Sequence, residues 1–158
     1  MRDAIVVGAS AGGISALRKL VGGFPADLPA AVLAVLHIPQ DAPSSLPLLL
    51  TSAGELPAKP AEDGEPLNRG TIYVAPPARH LVVERGRVRL TRGPRENRSR
   101  PSIDTLFRSA AVDLGPRVIG VVLSGTLDDG TAGLWAIKDR GGLAVVQGLH
   151  LPAAVEHE

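Results

Sequence analysis

Ile5-Val6-Val7-Gly8-Ala9-Ser10-Ala11-Gly12-Gly13-Ile14-Ser15-Ala16-Leu17 joins an apolar run, a glycine-rich corner and the opening of a helical pattern. The run before Gly8 suits a parallel strand buried on both faces, and Leu17, Leu20 and Val21 then recur at helical spacing. Between them lies Gly8-x-Ser10-x-Gly12, the pattern of a nucleophile elbow. Small residues on both sides let the backbone turn sharply, so that a serine hydroxyl emerges at the carboxyl edge of a sheet among the free amides of a helix start. Two other readings compete. One is a strand-to-helix turn without chemistry. The other is a dinucleotide loop, because Gly8, Ser10 and Gly13 fall on the Gly-x-Gly-x-x-Gly spacing. Serine at the middle position argues against that loop, since the glycine there admits a pyrophosphate to the backbone.

The rest of the chain supports an α/β reading. Its 158 residues, 44% hydrophobic and 21% charged, suit one globular domain with a substantial core. Aromatics are only 3%, so that core must be built from Val, Leu, Ile and Ala. Cysteine is absent, which excludes disulfides, thiolate metal sites and a cysteine nucleophile. No apolar run approaches the roughly 20 residues of a membrane span. The opening Met1-Arg2-Asp3 leads into a strand without a signal-peptide pattern, so the expected compartment is the cytoplasm. The net charge of +1 conceals a local excess: arginines at 79, 85, 87, 89, 92, 95, 98 and 100 stand against Glu84 and Glu96. With Tyr73 and Phe107 the only aromatics near this surface, base stacking has little support, and a solvated hairpin or an acidic protein partner is the better reading.

Strands and helices alternate along the chain. Ala30-Ala31-Val32-Leu33-Ala34-Val35-Leu36 reads as a central parallel strand ending at His37. Residues 44–53 read as a short helix with Pro47 in its first turn, and 58–63 are ambiguous. Residues 70–77 read as a strand and turn, and His80 to Leu90 alternate around Gly86 as a hairpin, so that antiparallel structure is inserted around residues 71–91. A helix is expected from Pro101 or Ser102, with Ile103, Leu106, Phe107 and Ala110 on its apolar face. Val118-Ile119-Gly120-Val121-Val122-Leu123-Ser124 is another buried strand, opening into Gly125-Thr126-Leu127-Asp128-Asp129-Gly130. Trp135 and Ile137 belong to the next helix, and residues 143–147 form the last strand. The fold class is thus a doubly wound, mostly parallel sheet flanked by helices.

In such sheets ligands bind beyond the carboxyl ends of the strands. Three of these strands deliver Ser10, His37 and the Asp128-Asp129 pair to that edge, the inventory of a serine hydrolase. His80, at the start of a hairpin strand, reads better as a structural hydrogen bonder, and His150 and His157 lie in a polar tail. Spacing leaves Asp128 and Asp129 open, and both also read as turn or cap residues.

Gly8-Ala9-Ser10-Ala11-Gly12-Gly13, His37-Ile38-Pro39, Tyr73-Val74-Ala75-Pro76 with His80-Leu81, Pro101-Ser102-Ile103-Asp104 with Leu106-Phe107, and Leu123-Ser124-Gly125-Thr126 before Asp129-Gly130 resemble, in order, the motifs of the CheB chemotaxis-receptor methylesterase catalytic domain. The resemblance covers residues 1–147, with 148–158 a short tail. It implies hydrolysis of γ-glutamyl methyl esters on chemotaxis receptors, releasing methanol, and in some members deamidation of receptor glutamines. It implies Ser10 as nucleophile, His37 as general base and Asp129 as the third member, with backbone amides at Thr126 and Ala11 receiving the oxyanion. Neither metal nor cofactor is implied, and the partner would be a methylated receptor rather than nucleic acid or a membrane interior.

Three features depart from the family pattern. Ala11 stands where threonine is usual, and Thr126-Leu127 where Met-Gly is usual, which is expected to alter the late loop. A chain lacking the family's receiver domain is expected, and because family chains continue past the strand matching residues 143–147, a domain shortened at its C-terminal end is expected too. These departures keep a second reading in play, a non-catalytic CheB-like binding domain that uses the same rim and the arginine-rich surface.

Overall fold

In chain order the elements are β1 (Ala4–Ala9), α1 (Ile14–Gly22), β2 (Ala31–Leu36), α2 (Leu46–Ala53), β3 (Ala58–Pro60), β4 (Ile72–Val74), β5 (His80–Glu84), β6 (Arg87–Thr91), α3 (Ile103–Leu114), β7 (Val118–Leu123), α4 (Thr131–Asp139) and β8 (Leu143–Gln147). This computed structural model describes residues 1–37, 45–96, 100–123 and 129–147. Short 3-10 turns, Ala11–Gly13 and Gly115–Arg117, precede α1 and β7.

Six strands form one sheet in the order β3-β4-β2-β1-β7-β8, and every ladder in it is parallel. The chain winds outward from β1 through β2 and β4, then returns to place β7 on the other side of β1. That reversal opens a crevice at the carboxyl ends of β1 and β7, the position where doubly wound sheets bind ligands. Register makes the edge level: Ala9 pairs with Leu36 on one side and Leu123 on the other. Ser10 and His37, which follow β1 and β2, therefore emerge side by side.

The apolar runs behave as double-faced strands. Ala4 and Val6 of β1 pack with Leu33, Tyr73, Leu106, Phe107, Leu134 and Ile137, beneath α3, α4 and the hairpin. Ile5, Val7 and Ala9 face the other way, onto Leu17, Val21, Leu50 and Leu56, beneath α1 and α2. Period-two alternation thus sends successive residues of one run into two separate cores.

The antiparallel insertion is narrower than the sequence pattern suggests. Ile72–Val74 joins the parallel sheet as β4, and only β5 and β6 pair antiparallel, as a separate two-stranded sheet packed on α3. Its turn places Arg85 at φ 54° and Gly86 at φ 72°, the left-handed pair that a two-residue hairpin turn requires. The ambiguous 58–63 segment supplies β3, a three-residue edge strand ending at Pro60, where a missing N–H is tolerated. Among the described residues no helix is long and apolar enough to cross a membrane.

Candidate active site

Ser10 follows β1 directly. Its backbone is extended (φ −81°, ψ 171°), and its carbonyl accepts the Gly13 N–H at 2.7 Å, closing the 3-10 turn that feeds α1. Its hydroxyl caps nothing. The residue is half-buried, and its relaxed extended backbone differs from the strained turn that the Gly-x-Ser-x-Gly pattern led one to expect, because a 3-10 turn takes the chain into α1. One strand away, the His37 N–H donates to the Ala9 carbonyl at 2.9 Å, so the histidine continues the β1–β2 ladder by one residue beside Ser10.

The third predicted residue arrives from beyond β7. His37 Nε2 lies 2.7 Å from Asp129 Oδ2, with the histidine side chain 28% exposed and the aspartate 4%. Asp129 also accepts from the Ser102 hydroxyl (3.1 Å) and the Asp104 N–H (2.8 Å) on Oδ1, and from the Ile103 N–H (2.5 Å) on Oδ2. These partners cluster at the first turn of α3, where free amides and the helix dipole favour an anion. All of these contacts donate to the carboxylate, which accepts throughout. The proton of the His37–Asp129 bond therefore sits on Nε2, leaving the Nδ1 lone pair as the basic position of the ring.

α3 reaches this rim because β1 makes room for it. A Cβ on Gly8 would stand 2.5 Å from the Ile103 side chain, so glycine two residues before Ser10 is what lets the start of α3 seat against the strand. Ser102 caps α3, accepting the Thr105 N–H at 3.2 Å while its own proton goes to Asp129. His80, 2% exposed, is structural: Nε2 donates to the Pro94 carbonyl (2.7 Å) and Nδ1 accepts the Ser102 N–H (3.2 Å). It ties the hairpin to the α3 start.

The structure thus brings His37 and Asp129 into contact and sets Ser10 beside His37 at the ends of β1 and β2. Among the described residues the Ser10 hydroxyl makes no hydrogen bond to His37. Ala11 opens the 3-10 turn after Ser10. Thr126, Leu127, Asp128, His150 and His157 lie outside the described residues. Ser102 and Asp104 acquire roles at the site that spacing did not assign them, whereas His80 makes the structural hydrogen bonds expected of it; the one local signal was Ser102 just before the apolar face of a helix start. Tyr73 and Phe107 are buried at 1% and 0% exposure, which removes the only aromatics near the arginine surface from any stacking role. Among the described residues no group of three or more His, Asp or Glu is placed to hold a metal ion.

The sequence model of the CheB methylesterase family matches residues 5–150. The chain belongs to the CheB methylesterase family. It is 41% identical over 155 residues to a Methanosarcina mazei protein-glutamate methylesterase/protein-glutamine glutaminase, covering 93% of this chain and 42% of the relative. An Anaeromyxobacter dehalogenans protein of the same name is 40% identical over 145 residues, covering 92% and 42%. The chain therefore spans less than half the length of these curated relatives. The crystal structure of the Thermotoga maritima CheB methylesterase catalytic domain matches with a TM-score of 0.84 at 34% identity, covering 92% of this chain and 78% of that one. The CheB-family fold therefore accounts for the parallel sheet and for the separate β5–β6 hairpin.

Proposed function

We propose that this CheB-family chain hydrolyses γ-glutamyl methyl esters on chemotaxis receptors, with Ser10, His37 and Asp129 as its triad. The observation that carries the reading is the 2.7 Å His37–Asp129 bond, formed at the sheet edge where the β1–β2 register sets Ser10 beside His37. A binding module has no use for a buried carboxylate aimed at a partly exposed imidazole. A general base needs one, to hold its tautomer and to stabilise the imidazolium that forms.

In the first step Ser10 Oγ attacks the ester carbonyl as Nδ1 of His37 takes its proton, and backbone amides near Thr126 and Ala11 receive the oxyanion. The tetrahedral adduct collapses, the carbon–oxygen bond to the methoxy group breaks, and His37 returns the proton to give methanol. Water, deprotonated by the same imidazole, then attacks the glutamyl-Ser10 ester and releases the glutamate side chain with Ser10 restored. A glutamine substrate follows the same course with ammonia as the leaving group. Asp129 remains a carboxylate throughout.

An acidic receptor segment fits the surface beside the site. Among the described residues Arg89 is paired with Glu84 and Asp63, and Arg108 with Glu96, while Arg79, Arg92 and Arg95 have no carboxylate partner. Methanol release from methylated chemoreceptor membranes tests the reading. Release by the wild-type chain that disappears in Ser10→Ala supports it. A folded wild-type chain that releases none moves the assignment to the binding domain.

A further inference from the structure

We propose that Asp104 is a positioning residue for this site, a role that rests on the hydrolase reading and extends it to a side chain outside the triad. Asp104 lies in the first turn of α3 and is 4% exposed. Its backbone N–H donates to Asp129 Oδ1 at 2.8 Å, and its own Oδ1 accepts the Gly130 N–H at 3.0 Å and the Gly133 N–H at 2.7 Å. Two aspartates are therefore exchanged between two helices. Asp129, just before α4, closes the start of α3; Asp104, just inside α3, closes the start of α4.

The exchange is required by what stands at the α4 start. Its N-cap is Gly130, at φ 121°, which has no side chain to accept an amide. Asp104 supplies that acceptor from the neighbouring helix. Gly133 permits the approach, because a Cβ there would stand 3.0 Å from Asp104 Oδ1 and 2.5 Å from the Phe107 Cβ. Gly130 is the residue bonded to Asp129, so the peptide that carries the triad carboxylate is pinned on one side by Asp104 Oδ1 and on the other by the amides of residues 103 and 104. The role assigned to Asp104 is one of positioning. Asp104 acts by holding the main chain of Asp129, and thereby the direction of the Asp129 lone pair on which His37 Nε2 depends.

Misplacing a catalytic group by about 1 Å costs on the order of 100-fold in rate. Asp104→Ala is accordingly expected to lower kcat about 30- to 100-fold with KM within about twofold. Asp104→Asn keeps a carbonyl oxygen for both glycine amides and is expected to restore kcat to within about fivefold of wild type. Asp3→Asn, at the opposite edge of the sheet, serves as the control and leaves kcat unchanged. Proton NMR supplies a readout independent of turnover: the His37 Nε2–H bonded to Asp129 should give a downfield resonance, lost or displaced in Asp104→Ala and retained in Asp104→Asn and Asp3→Asn. If the wild type shows this resonance but no esterase activity, the hydrolase reading fails and the NMR comparison still decides the positioning role. A folded Asp104→Ala protein with wild-type kcat and an unmoved resonance overturns the proposal. If Asp104→Ala does not fold, Asp104→Ser, whose shorter side chain cannot reach both glycine amides, decides: a folded variant with the resonance lost or displaced upholds the proposal, and one with an unmoved resonance and wild-type kcat overturns it.

Discussion

Asp3 and Asp129 stand at opposite edges of the same sheet, and both lie beside β1 and β7, yet the two carboxylates are held in different ways. Asp3 meets the Arg117 guanidinium in a fork, Nε to Oδ1 at 2.9 Å and Nη2 to Oδ2 at 3.0 Å, with Arg69 at 3.6 Å. Asp129 sits in a cage of main-chain amides, a hydroxyl and an imidazole. A guanidinium on a flexible stem follows its partner wherever the chain carries it, so the Asp3 pair ties the starts of two strands together without fixing a direction to better than the side chains allow. Amides at a helix start do not move independently of the helix. The cage around Asp129 therefore converts the rigidity of α3 into the orientation of one lone pair. Fork pairs hold elements, and amide cages aim atoms.

The sharpest way to break this contrast is to remove the aimed charge. Asp129→Asn keeps most of the cage but loses the carboxylate opposite His37, and kcat should fall by about 10³- to 10⁴-fold, measured by methanol release at saturating substrate. A loss of less than tenfold would show that the aim of Asp129 does not matter to His37. Next comes the seat of α3. In Gly8→Ala the new methyl meets Ile103, and the strain of overpacking should cost about 1–3 kcal/mol in a denaturant titration while lowering kcat, because the helix start and its cage shift together. Ile103→Val in the same background should recover part of both losses. If stability falls and kcat does not, α3 is not the frame that carries the aim.

Smaller effects sharpen the comparison. Ser102→Ala removes both the donor to Asp129 Oδ1 and the α3 cap, and should cost about 1 kcal/mol of stability with a several-fold drop in kcat. The smallest effect belongs to the other edge. Hydrogen bonding from Arg117 holds the Asp3 carboxyl below its ordinary range, with burial opposing it and the Arg117 and Arg69 charges adding to it. A carboxyl lowered in the folded state stabilises above its unfolded value of 3.8 and loses that contribution as pH falls through the folded value. Asp3→Asn should thus reduce stability at neutral pH by about 0.5–1 kcal/mol, less in high salt, and lose its difference from wild type in strong acid. Turnover should not change. A kcat effect from Asp3→Asn would mean that the two edges are coupled.

Much of this frame is visible in the chain itself. The buried parallel strands announce themselves as unbroken Val, Leu, Ile and Ala runs, and Ser10 and His37 stand directly after the carboxyl ends of two of them, while their roles rest on the family resemblance. Gly86 marks the hairpin. What periodicity could not reveal depends on contacts distant along the chain. β3 has only three residues and a proline, too few to carry a period. The choice of Asp129 as the partner of His37 lies in the contacts that Asp129 makes with the start of α3, far away along the chain. The exchange of caps between Asp104 and Asp129 joins two helix starts that look like separate, self-sufficient turns in sequence, although neither Gly130 nor Gly133 carries a side chain that could have closed its own helix.

The central claim is that Ser10 is a nucleophile whose reactivity is set by the His37–Asp129 pair. Its most direct test is labelling with a fluorophosphonate, followed by peptide mass spectrometry and a rate comparison with Asp129→Asn and Asp3→Asn. The account predicts a single adduct on the peptide containing Ser10, formed at least about 100-fold more slowly in Asp129→Asn and at the wild-type rate in Asp3→Asn. An adduct on another residue, or Ser10 labelling indifferent to Asp129, would contradict it.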